Sequence, residues 1–135
     1  MTQEDKELLL KDLCARLPYG LKVYYNNGQL TGNSVIEDLY RVTNKFRSEV
    51  AVIEDEYGLC GMSLDNIKPY LFPMSSMTGE QKKEMCSFDP FQTEETKTLG
   101  QWAFHLVDFY NKYHFDYRGL IEKGLAIDAT GLSVY

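Results

Sequence analysis

Leu21-Lys22-Val23-Tyr24-Tyr25-Asn26-Asn27-Gly28-Gln29-Leu30-Thr31 is the stretch on which the reading of this chain turns. Residues 21–25 suit a strand, Asn26-Asn27-Gly28 supplies residues that tolerate positive φ in a tight turn, and Gln29-Leu30-Thr31 returns. The β pattern then continues to about Phe72. Ser34 to Val42 carries Val35, Ile36, Leu39 and Tyr40, and Glu49 to Ile53 carries Val50, Val52 and Ile53, with Thr43 to Ser48 connecting them. Glu54-Asp55-Glu56-Tyr57-Gly58 turns into a short strand at Leu59 to Met62. Ser63 to Pro69 reads as one helical turn stopped by proline, and Tyr70-Leu71-Phe72 adds a final strand. Four or five short strands with a helical turn before the last predict a small antiparallel sheet or an SH3-like barrel. Both need the same alternation, so both stand at this point.

Helices flank this β part. Residues 3–17 form the first: Thr2 caps it, Glu4, Asp5 and Glu7 favour its positive end, and Leu9, Leu13 and Leu17 share a face. Glu7 with Lys11 and Asp12 with Arg16 have the spacing of outward ion pairs, and Cys14, beside the leucine stripe, suits a packed thiol. Pro18-Tyr19-Gly20 ends the period. Downstream, Thr78 and Gln81 make a capping box for a short helix ending near Cys86. Thr93 opens the longest helix, to about Tyr113, with Leu99, Trp102, Ala103, Leu106, Tyr110 and Tyr113 as its stripe. A last short helix over 117–123 ends at Gly124. The fold class expected is α+β in a single domain over 1–135: an N-terminal helix to residue 20, a β-rich part over 21–73, two or three helices packed on the sheet over 74–127, and a loose tail over 128–135.

Composition narrows the function classes. The 135 residues are 44% hydrophobic, 13% aromatic and 25% charged, which suits a packed core. The net charge of −6 is shared evenly: residues 1–73 hold 11 acids and 8 bases, residues 74–135 hold 9 and 6, so each part carries −3. Nucleic-acid binding draws affinity from Lys and Arg on phosphates, and no basic excess or dense cluster is present; Lys22, Arg41, Lys45 and Arg47 would have to make the surface. An acidic amino terminus without a long apolar run predicts neither export nor a membrane span. Cys14, Cys60 and Cys86 are odd in number and lack a CxxC pair, as expected of buried thiols in a reducing cytoplasm.

Three segments resemble a family of short, uncharacterised proteins of Bacteroidales-type gut bacteria and their prophage-like elements. They are Glu4 to Gly20 with Asp12-Leu13-Cys14-Ala15-Arg16-Leu17-Pro18-Tyr19-Gly20, Ile67-Lys68-Pro69-Tyr70-Leu71 with Ser75-Ser76-Met77-Thr78, and His114-Phe115-Asp116-Tyr117-Arg118-Gly119-Leu120-Ile121-Glu122-Lys123-Gly124-Leu125-Ala126. The resemblance covers somewhat under half of the chain. It implies a bacterial or phage cytoplasmic origin and carries no activity, cofactor or catalytic residue.

The densest chemical feature is 102–117, where Trp102, Phe104, Phe109, Tyr110, Tyr113, Phe115 and Tyr117 accompany both histidines. Seven aromatics exceed one helix stripe, so some must pack on a second element, a partner or a ligand; a helix sandwiched between the sheet and the first helix would bury them all. His105 lies three residues from both Trp102 and Asp108, a spacing open to proton transfer, yet Asp108 equally suits Lys112. His114 and Asp116 offer two metal donors where a stable site needs three or four, and Asp116 suits a cap. Glu54, Asp55, Glu56 and Asp65 read as solvated turns. Tyr24 and Tyr40 extend the aromatic surface over the β part.

No nucleophile elbow, GxGxxG or Walker A sequence occurs. No catalytic residue, metal ligand set or cofactor is therefore assigned. The expected function is that of a non-enzymatic cytoplasmic interaction protein, an accessory or host-modulating factor of a mobile element. It would bind a protein or peptide partner through Trp102, His105, Phe109, Tyr113, Tyr24 and Tyr40, with a homodimer as a further option. The alternative is a small-ligand or enzymatic site around His105, at the junction of sheet and long helix.

Overall fold

A computed structural model describes residues 1–42, 48–55, 58–87 and 99–135, with backbone alone for 39–42, 48–50, 52, 54 and 55. The fold is α+β. Helix α1 (Gln3–Arg16) begins as expected, with Thr2 Oγ1 accepting from the Asp5 amide at 3.1 Å. Leu9 and Leu13 are fully buried on its inner face. A 3-10 turn over Leu17–Tyr19 and Gly20 at φ 66° then redirect the chain into the sheet.

Strands β1 (Lys22–Asn26) and β2 (Thr31–Val42) form the hairpin. Asn26 Oδ1 accepts from the Gly28 amide at 2.9 Å, Asn27 Oδ1 accepts from Leu30 at 2.7 Å, and Gly28 takes φ 88°. The separate strands expected at 29–31 and 34–42 are one element, bent by an irregularity between Ile36 and Asp38. Strands β3 (Ser48–Asp55) and β4 (Gly58–Ser63) extend the meander. The Thr43–Ser48 connection lies outside the described residues except for Ser48.

The helical turn is tighter and earlier than expected, a 3-10 turn over Leu64–Asn66, and β5 (Ile67–Leu71) runs straight through Pro69. Proline fits there because β6 (Ile127–Asp128) pairs only with Tyr70 and Leu71, so β5 is locally an edge at Pro69. Strand order is β4-β3-β2-β1-β5-β6, with β4 and β6 as the two edges among the described residues. Since β6 is parallel to β5, the sheet is mixed rather than antiparallel. Its strand comes from a segment that lacks any β-rich run, which is why alternation alone stops at five.

Helix α2 (Gly79–Cys86) carries the expected capping box between Thr78 and Gln81. Helix α3 is described over Leu99–Lys112; the expected start at Thr93 lies outside the described residues. Three other expectations change. Residues 117–123 form turns, not a helix, although Asp116 does cap them, its carboxylate accepting from Leu120 at 2.8 Å and Ile121 at 2.9 Å. The tail over 128–135 is docked rather than loose: Ala129 is buried and donates to the Leu71 carbonyl at 2.8 Å. Cys14 and Cys86 are exposed rather than packed.

The main core joins Leu9 and Leu13 to Leu21, Val23, Ile53, Ile67, Leu71 and Leu120. A second cluster of Met77, Phe109 and Phe115, ringed by Phe72, Met85, Tyr110 and Tyr113, belongs to α2, α3 and the chain that flanks them. The later helices therefore add a satellite core beside the main one. No described helix is long and apolar enough to cross a membrane.

Candidate functional site

The aromatic segment divides within α3. In its second half Phe109 is buried, stacked on Phe115 at 6.1 Å between ring centroids and edge-on to Tyr113 at 5.1 Å. Tyr113 donates its hydroxyl to Glu84 at 2.6 Å, and Lys112 lies 3.6 Å from the same carboxylate, tying α3 to α2. In the first half the apolar residues lose their cover. Phe104 is 75% exposed, Leu99 62%, and Val107 and Ala103 are also exposed. Leu99, Ala103 and Val107 recur every fourth residue with Phe104 alongside, so they form a second apolar stripe beside the packed one. The sandwiched helix that would bury every aromatic is not what forms.

The expected site residues separate accordingly. Trp102 is half-buried on the packed side, and its Nε1 is buried without a hydrogen-bond partner among the described residues. Phe109 is core, Tyr113 half-buried and His105 exposed. Tyr24 is half-buried on β1, within reach of Asn26 Nδ2 at 3.4 Å, and among the described residues no ring contact joins it to α3. Tyr40 lies in β2 with its side chain outside the described residues. The five whose side chains are described do not form one surface.

His105 lines a shallow depression of about 140 Å³ with Tyr19, Glu84, Asp108, Phe109 and Lys112. Ligand sites are clefts of roughly 300–1,000 Å³ that enclose their occupant. An exposed imidazole at so small a depression does not make the inward-facing site that the alternative requires.

The polar centre of the molecule lies elsewhere, at a joint the local sequence pattern does not reveal. Asp12 and Arg16, expected to pair on the outside, are fully buried. Arg16 Nε donates to Asp12 Oδ2 at 2.8 Å and its Nη2 to Oδ1 at 3.1 Å. The guanidinium also donates to the Phe115 carbonyl at 2.5 Å and the Tyr110 carbonyl at 3.4 Å, and lies over the Tyr117 ring. Arg118 Nε also lies 3.4 Å from Asp12 Oδ1. Two of the resembling segments, 4–20 and 114–126, thus meet through this network, and the Phe72–Phe115 bridge brings 114–126 to the end of β5.

His114 closes the joint. It has φ 61°, is 7% exposed, and stacks on Tyr135 at 4.1 Å with the rings 12° apart. Burial, reinforced by the Arg16 charge, pushes its pKa down to about 4. Tyr135 donates to the Tyr70 carbonyl at 2.8 Å and accepts from the Lys22 amide at 3.1 Å; burial of that hydroxyl pushes its pKa up to about 12. Lys22 Nζ donates to the Val134 carbonyl, so this lysine, which a nucleic-acid surface would have required, serves the docked tail. These are the contacts of a structural clasp. Positive φ at a non-glycine residue was the one feature that marks it, and it is a property of the backbone, not of the letters.

No family model matches the chain, and neither a curated protein nor a solved structure matches it.

Proposed function

We propose that this chain is a non-enzymatic interaction protein that docks a protein partner on the first half of α3. The observation that carries the reading is the apolar stripe of Leu99, Phe104 and Val107, held in solvent by a helix whose other half is anchored. An exposed Phe and Leu on a rigid helix favour burial against a second surface, and contiguous apolar patches of this kind mark interaction sites. Charge supplies the partner's other property. A chain of net charge −6, with Asp108 exposed on the same helix, favours an apolar patch set in a basic surround. Cys14, Cys60 and Cys86 stand outside any disulfide, which supports a reducing cytoplasm as the setting. The resemblance to proteins of Bacteroidales-type prophage-like elements supports an accessory or host-modulating role.

A photo-crosslinking residue placed at position 104, compared with one at exposed Lys123, tests this in native lysate. The expected result is a discrete crosslinked protein at 104, absent at 123 and carrying a basic surface. Equal labelling from both positions, or none from 104, would overturn the proposal.

A further inference from the structure

The two sheet edges are protected to very different degrees. At the β6 edge the strand is two residues long, ends on exposed Asp128, and turns away at once as the Thr130 amide donates to Asp128 Oδ1 at 2.9 Å. Shortness, charge and a turn are the devices that stop an edge from recruiting another strand. At the other edge β4 reads Gly58-Leu59-Cys60-Gly61-Met62-Ser63, six residues without a charge or a proline. Its register against β3 runs unbroken from Ser63 to Gly58, so no bulge turns it aside. Among the described residues nothing pairs with its outer side, and Leu59 is 69% exposed there.

We propose that β4 pairs antiparallel with β4 of a second copy of this chain, about a twofold axis at Cys60. A strand that pairs antiparallel with its own copy brings the same set of side chains to both sides of the seam, so a charged edge would repel itself; this one has no charge to oppose. Size selects the register. Leu59 and Gly61 are both exposed and share the outer face, while Met62 is buried on the inner one. With Cys60 opposite Cys60, each exposed Leu59 lies over the other copy's Gly61, where no Cβ obstructs it. Centring on Gly61 instead sets the two glycines together and leaves Leu59 against Ser63. The acidic total of each copy opposes association, so raised salt, which screens that repulsion, strengthens this dimer. That salt sign is opposite to the one expected for α3 meeting a basic partner.

Cys60 reports the register directly. Opposed residues of an antiparallel pair have Cα atoms roughly 4.5–5.5 Å apart, within the roughly 4.4–6.8 Å span of a disulfide. The experiment is sedimentation equilibrium of the full chain at low and high salt, with mild oxidation of a Cys14→Ser/Cys86→Ser variant. A dimer that tightens with salt, links through Cys60, and weakens at least about tenfold in Leu59→Lys would support the proposal. Since Leu59 is exposed, the lysine variant keeps its fold, which circular dichroism checks. Concentration-dependent amide protection over 58–63 gives a second readout that needs no substitution. A monomer at several hundred micromolar in high salt, or a dimer indifferent to Leu59→Lys, would overturn it, as would pairing of β4 with an unrelated extended segment in preference to itself. Phe104→Ser leaves the expected dimer intact, which separates its failure from that of the α3 reading.

Discussion

The two halves of α3 have similar letters and opposite fates. Leu99, Trp102, Phe104 and Val107 are as apolar as Phe109, Tyr110 and Tyr113, yet the first group is largely exposed or half-buried and the second closes a core. What differs is the supply of neighbours. Beside the second half stand α2, Phe72 and the 113–117 joint, which Arg16 ties to α1. Beside the first half no described element stands close enough to cover Phe104. A hydrophobic stripe thus states a demand for burial, and tertiary structure decides whether the molecule meets it internally or leaves it for another surface.

The strongest way to break this contrast is at the joint. Arg16→Met leaves Asp12 buried without its main partner and strips donors from the Phe115 and Tyr110 carbonyls, so stability should fall by about 3–5 kcal/mol. Urea denaturation measures it; a loss below ~1 kcal/mol would mean that the joint does not anchor α3.

A smaller effect belongs to His114, whose pKa is lowered from 6.5 to about 4 in the folded chain. The unfolded chain binds the proton first, so this residue's stabilisation is complete above about pH 6.5 and is lost as pH falls through about 4. His114→Asn, which tolerates positive φ, should flatten stability between those limits. An unchanged pH profile would show that some other group carries it. Smaller again, Tyr135→Phe removes the hydroxyl between Tyr70 and Lys22 and should cost about 1–2 kcal/mol. Phe104→Ser should shift stability by no more than about 0.5 kcal/mol, because an exposed ring contributes little to the folded monomer. A large loss there would place Phe104 in the core and end the contrast.

Local devices were legible in the letters. The Thr2 cap, the Asn26-Asn27-Gly28 turn, the Thr78–Gln81 box and the helical turn before β5 all depend on residues within a few positions of one another. The failures share the opposite property. Asp12 and Arg16 have the same spacing whether they face water or the interior, and what buries them arrives from residues 110 and 115. Strand β6 forms because the backbone after Ala126 meets Tyr70 and Leu71, not because its two residues alternate. The tail docks through Ala129, Val134 and Tyr135, whose partners Leu71, Lys22 and Tyr70 are far away in sequence. For the candidate site, the aromatic surplus over 102–117 was evident, but which rings lie outside depends on where α2 and the joint stop. Phe104, the most exposed of them, was counted in the cluster without being singled out.

The central claim is that the exposed half of α3 is a docking face and the buried half its anchor. Its most direct test is the equilibrium affinity of the partner crosslinked at position 104 for the native chain, Phe104→Ser and the surface control Lys123→Ser, each checked for unchanged thermal stability. The account predicts a loss of at least about tenfold for Phe104→Ser alone, the ~1.4 kcal/mol expected of a buried aromatic anchor. Equal affinity for all three would contradict it.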